Sequence, residues 1–134
     1  MNLSKELGKY EGGRNIDESM SNFAIFLGDC RVRLDFFSRE FVAEKCRVTE
    51  KTVYNFEKGK SNNATIMMFY ISILHQILDA SGADEDYKPL AEIDPVTDEY
   101  FRQEHDATKS MKKELINATN RLMGELVTVT NQRF

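Results

Sequence analysis

The chain has 134 residues, 18 of them basic and 22 acidic, with a net charge of −4, which suffices for one domain with a real core or a small domain plus an extension. No apolar run approaches the roughly 18 residues that span a bilayer, and the start Met-Asn-Leu-Ser-Lys-Glu-Leu-Gly lacks an apolar signal core, so a cytoplasmic protein with no membrane partner is expected. His75 and His105 stand at unrelated places, and there is no phosphate-cradling glycine loop and no nucleophile with a base at readable spacing, so no enzyme, metal or cofactor is expected.

Residues 1–21 are polar and carry Gly8, Gly12 and Gly13, the composition of a flexible N-terminal arm. The alternative is an arm whose Lys5, Lys9 and Arg14 reach a neighbouring groove. From Asn22 to Asp35 the apolar residues Phe23, Phe26, Leu27, Cys30 and Leu34 line one face of a helix. Cys30 and Cys46 both fall at apolar helical positions, where a reduced thiol serves as a small hydrophobe.

The stretch Ser38 to Gly59 reads as two short helices joined by a tight turn. Ser38 and Thr49 can each cap a helix by accepting one of the backbone N–H groups that helix starts leave unpaired. Phe37 with Val42, and Val48 with Val53, have the spacing of hydrophobic staples around those caps. Val42, Ala43 and Cys46 on the first helix and Val53 and Phe56 on the second would face inward. Glu50, Lys51, Thr52, Tyr54, Asn55 and Lys58 would project from the outer face of the second, the candidate working surface.

Asn63 can cap a helix over Ala64 to Ala80 that is apolar on nearly every side, so it must be buried on more than one. One side completes a core; the other meets the C-terminal extension or a second subunit. Residues 81–94 read as an acidic linker, with Asp84, Glu85 and Asp86 between Gly82 and two prolines. Asp94-Pro95 then signals a helix start, and residues 95–134 read as a C-terminal helix. Its steps of 4, 3, 4, 4 and 3 through Met111, Leu115, Ala118, Leu122, Leu126 and Val129 suit a helix-pair seam. Met111, Leu115, Leu122 and Leu126 are therefore candidate oligomerisation residues, unless the helix folds back on Ala64 to Ala80.

The run Ser38, Phe41-Val42-Ala43, Val48-Thr49, Thr52-Val53 and Phe56-Glu57-Lys58-Gly59-Lys60 resembles the helix-turn-helix of the Cro and phage-repressor family, also called XRE-like. The resemblance extends roughly from Phe23 to Leu78. It implies an all-α, lambda-repressor-like helical bundle over residues 22–80, with the C-terminal helix as an extension. The family usually has glycine at the turn, whereas this chain has Arg47, and a non-glycine residue in a left-handed turn costs on the order of 1 kcal/mol. The resemblance further implies that an arginine of the first helix, Arg31 or Arg33, pairs with Glu57.

The charge is zoned in a way the total hides. Cys30 to Asn63 holds eight basic and five acidic residues, whereas Asp79 to Asp106 holds ten acidic residues and only Lys88 and Arg102 as bases. What the family implies is then a regulator, a repressor of phage or mobile-element type, bound as a homodimer to a two-fold symmetric site on double-stranded DNA. Glu50, Lys51, Thr52 and Asn55 would meet base edges, and Arg39, Tyr54, Lys58 and Lys60 would meet phosphates. The alternative use of the same fold is a protein-binding module, an antitoxin, antirepressor or adaptor, with a regulatory protein as partner. The acidic Glu40, Glu44 and Glu50 near the working face keep that alternative open.

Overall fold

The computed structural model describes the backbone of residues 16–133 and the side chains of residues 18–128. Five helices follow one another: α1 Ile16–Leu34, α2 Arg39–Cys46, α3 Glu50–Glu57, α4 Ala64–Ala80 and α5 Pro95–Arg133. There is no strand among the described residues, and the fold is an all-α bundle. No helix among the described residues is long and apolar enough to cross a membrane.

The caps read from the sequence form. Ser38 Oγ accepts the Phe41 N–H, Thr49 Oγ1 the Thr52 N–H, and Asn63 Oδ1 the Ile66 N–H. Three helices close in a common manner. Beyond α2 the Val48 and Arg47 N–H groups return to the Ala43 and Glu44 carbonyls. Beyond α3 those of Lys60 and Gly59 return to Asn55 and Phe56, and beyond α4 those of Ala83 and Gly82 return to Leu78 and Asp79. Each closure places one residue in the left-handed region, a Schellman arrangement. Gly59 (φ 74°) and Gly82 (φ 77°) take it freely, while Arg47 takes it at φ 57° with a side chain attached. The turn thus takes the left-handed conformation that a glycine would adopt freely, reached here with an arginine.

α1 begins at Ile16, six residues before the start expected at Asn22, so part of the span assigned to a flexible arm is helical. The reason is that Met20, three residues before Phe23, continues the apolar stripe and packs on the core. Residues 1–15, with Lys5, Lys9 and Arg14, lie outside the described residues.

α1 packs against α3, α4 and α5, while α2 packs against α3 and α4. The core lies between them. Leu27, Val42, Val53, Phe56, Tyr70 and Leu115 are each fully shielded from solvent. Both cysteines are free thiols; Cys30 is buried and Cys46 half-buried.

Of the two courses open to the C-terminal helix, the structure shows the second, a fold back onto the protomer. Met111, Leu115 and Leu122 are buried inside the protomer against α1 and α4, and Leu126 packs partly on the same core. The seam is filled by this chain's own helices, because α1 and α4 present an apolar surface that α2 and α3 leave uncovered. Met111, Leu115 and Leu122 are therefore core residues, and Leu126 borders them half-buried.

Residues 81–94, expected as a linker, are fastened along α5. Ala83 is buried, the Lys112 ammonium donates to Asp79 and Asp84, and Lys109 pairs with Asp86 at 3.6 Å. His105 Nε2 lies 2.7 Å from the Glu85 carbonyl oxygen, and the Tyr87 hydroxyl donates to the Asp98 carboxylate. The acidic run thus faces the basic side of α5 and does not lie over α3.

Leu115→Ala is expected to lower the stability of the protomer by about 2–5 kcal/mol, as for other fully buried leucines. Urea denaturation at two protein concentrations checks this, since a seam used only for assembly would give a loss that vanishes at high dilution.

Candidate nucleic-acid interface

α3 is short, and at eight residues it would not be stable alone. It is held by its inner side. Val53 and Phe56 are both fully buried, and the Phe56 ring stacks on Tyr70 of α4, with centroids 5.5 Å apart and planes 10° from parallel. Glu57, at the C-terminal end of the helix, turns back toward α1. Arg31 grips its carboxylate with two hydrogen bonds, Nε to Oε2 at 2.6 Å and Nη2 to Oε1 at 3.0 Å. The Tyr70 hydroxyl donates to the same Oε2. Of the two arginines left open by the sequence, Arg31 is the partner. Arg33, at the exposed side of α1, lies beside Cys30 and Glu104 instead.

The Glu57 side chain is only 8 % exposed and that of Arg31 12 %. A bidentate, charge-assisted pair in such surroundings is strong and directional. It raises the Arg31 pKa above its ordinary value. The Tyr70 phenol is also raised, first by burial and then by its hydrogen bond to the Glu57 carboxylate. Burial pushes the Cys30 thiol up to about 11, against an opposing pull from Arg33.

Room for this pair is made by Gly28. A Cβ on Gly28 would sit 2.9 Å from Glu57 Cβ and 3.0 Å from its Cγ, closer than packed atoms approach. α1 therefore carries a glycine in its interior, at roughly 1 kcal/mol of helix propensity, so that the Glu57 stem can lie across it. Gly59 meets α1 one turn earlier, near Ile25 and the Ser21 carbonyl.

The outer side of α3 is what these contacts hold in position. Glu50 and Lys51 are exposed, Thr52 and Asn55 half-buried. The Thr52 hydroxyl lies 2.8 Å from that of the capping Thr49. Of the four expected base-contact residues, Thr52 is thus already engaged in the cap. Tyr54 is 40 % exposed and gathers two cations, the Arg39 guanidinium at 5.0 Å from its ring centre and the Lys58 ammonium at 5.4 Å. Arg39 Nε also lies 3.9 Å from Glu57 Oε1. Lys60 is exposed just past the end of α3. The four residues expected at phosphates thus border α3, three of them joined through one ring.

Gly28 and Tyr70 were missed by the sequence reading. A lone glycine within a clear helical pattern signals close packing, and a tyrosine on an otherwise apolar buried helix needs an acceptor. In the structure Glu57 fills the first requirement and meets the second. No cluster of potential metal ligands occurs among the described residues. No family model, curated protein or solved structure matches the chain.

Replacing Arg31 by methionine leaves the largely buried Glu57 carboxylate with only the more distant Arg39 as a charge partner and is expected to cost up to about 3–5 kcal/mol, read from urea denaturation at neutral pH. A second expectation concerns alkaline pH. Tyr70 and Cys30 are neutral when protonated, and their folded values lie above the ordinary 10.0 and 9.0. Their stabilisation is complete below those ordinary values and drains away as the pH climbs past them. The thermal midpoint should therefore fall between pH 9 and pH 11, and the fall should be shallower in Tyr70→Phe; an equal slope in both chains would be the contrary outcome.

Proposed function

We propose that the chain is a sequence-specific regulator that binds double-stranded DNA, of repressor type, with α3 entering the major groove. The observation that carries this reading is the contrast between the two sides of α3. Its inner residues Val53 and Phe56 are wholly buried and its end is clamped through Glu57, while Glu50 and Lys51 stand in solvent beside the cations collected on Tyr54. A helix that reads base edges needs that combination, because a side chain that is not fixed in orientation cannot discriminate between donor and acceptor patterns.

Within this reading Lys51 faces guanine acceptors, Asn55 an adenine edge, and Glu50 a cytosine amino group. Arg39, Tyr54, Lys58 and Lys60 set register on the backbone and carry no sequence information. Thr52 is tied to Thr49 and contributes chiefly to the start of the helix. Two copies would place two such helices about one duplex turn apart on a two-fold symmetric site. The protein-binding alternative draws on the exposed Glu40, Glu44 and Glu50 around the same face. The two readings part on salt: phosphate contacts weaken steeply as counterions are added, whereas an apolar contact does not.

Selection of bound duplexes from random DNA with the purified chain tests the proposal. Lys51→Ala and Asn55→Ala should each lose about 1–3 kcal/mol on the selected sequence and relax its preference at one position. Lys58→Ala should weaken all duplexes alike and lower the salt slope by about one. Equal losses on selected and random DNA for all three variants, or no binding at low salt, overturn it.

A further inference from the structure

α4 has three apolar sides, and the core and α5 cover only two of them. The third lies against the turn between α1 and α2. There Phe36, Phe37, Phe41, Ile73 and Ile77, with the capping Ser38, line an open apolar groove of about 550 Å³. Its walls are well supported: Phe37 packs on Tyr70 with ring centres 5.8 Å apart, and Phe41 on Phe69 at 6.1 Å. Its edge is different. Asp35 takes a left-handed conformation at φ 53° to end α1, and the next residue, Phe36, is left 66 % exposed. One patch thus holds an exposed aromatic ring at its edge and, among its other apolar walls, a hollow of a size for such a ring.

Charge follows the same division. Asp35 directly precedes Phe36, and the Lys45 ammonium lies 5.5 Å from the centre of the ring of Phe41, one wall of the hollow. Both are exposed. A contact that brings the ring of one copy to the hollow of another can also bring an acid to a base, and two-fold symmetry then repeats the match. An isologous contact of this kind closes on itself, with an apolar centre and a charged rim, the anatomy of specific interfaces.

We infer that this groove is the dimer face: Phe36 of each copy seats among Phe37, Phe41, Ile73 and Ile77 of the other, with Asp35 of each against Lys45 of the other. A foreign partner would need only the hollow; a second copy uses the ring, the hollow and both charges. The choice of a second copy rests in part on the DNA-binding reading, which needs two chains on one site. It uses no residue of α3, and it does without the α5 stripe that the core has taken.

The test is the mass of the full chain by sedimentation equilibrium without DNA, so that dimer formation and DNA binding are read separately. The wild type should reach twice the 15.5 kDa of one chain at micromolar concentration. Phe36→Ala should weaken the dimer on the order of thirtyfold, as loss of a central aromatic anchor does, with an unchanged thermal midpoint at high dilution. Lys45→Glu, at an exposed position on α2, should weaken it as well and gives a second reading if Phe36→Ala disturbs the turn. Met123→Ala, on the exposed side of α5, should leave the mass unchanged. A monomeric wild type overturns the inference, and so does a dimer that tolerates both Phe36→Ala and Lys45→Glu.

Discussion

The buried carboxylate of Glu57 is the interaction on which the arrangement depends. It comes from the end of α3, is gripped by Arg31 of α1 and receives the hydroxyl of Tyr70 of α4, so one side chain ties three helices at a point. An ion pair of this kind adds little net stability over well-packed apolar groups, since desolvating both charges offsets most of their attraction. What it supplies is direction. A two-turn helix packed by Val53 and Phe56 alone could roll about its axis; one whose last residue is held by two fixed hydrogen bonds cannot do so without leaving a charge unpaired. Arg39, within 3.9 Å of the same carboxylate and stacked on Tyr54, carries that order out to the surface.

Local signals made the middle of the chain legible. Ser38, Thr49 and Asn63 were readable as caps because each satisfies a backbone donor through a side chain only three residues away, and nothing distant competes. The inner and outer sides of α3 were readable for a similar reason: Val53 and Phe56 are its only large apolar residues apart from the amphipathic Tyr54. Less could be read where partners are far apart in sequence. Arg31 and Glu57 are 26 positions apart, and spacing along α1 alone does not separate Arg31 from Arg33.

The C-terminal helix shows the same limit from the other side. Its apolar stripe announced a helical partner but not which one, since a seam of threes and fours fits another copy and the chain's own α1 and α4 equally well. The choice is made by surface that α2 and α3 are too short to cover. The acidic stretch before α5 carries the composition of a solvated linker, yet Lys109, Lys112 and His105 on successive turns of α5 give it fixed partners. Composition describes one segment at a time, and these partners lie some twenty to thirty positions away.

Cys30 lies almost wholly covered on α1, near enough to Glu114 of α5 for that carboxylate to act on its thiol. Nothing in the core needs sulfur at that place. Its position nonetheless makes the residue a natural clock for the interior: a thiol reagent too large to enter the packed core reaches Cys30 only when that packing opens, so the rate of labelling there counts the openings.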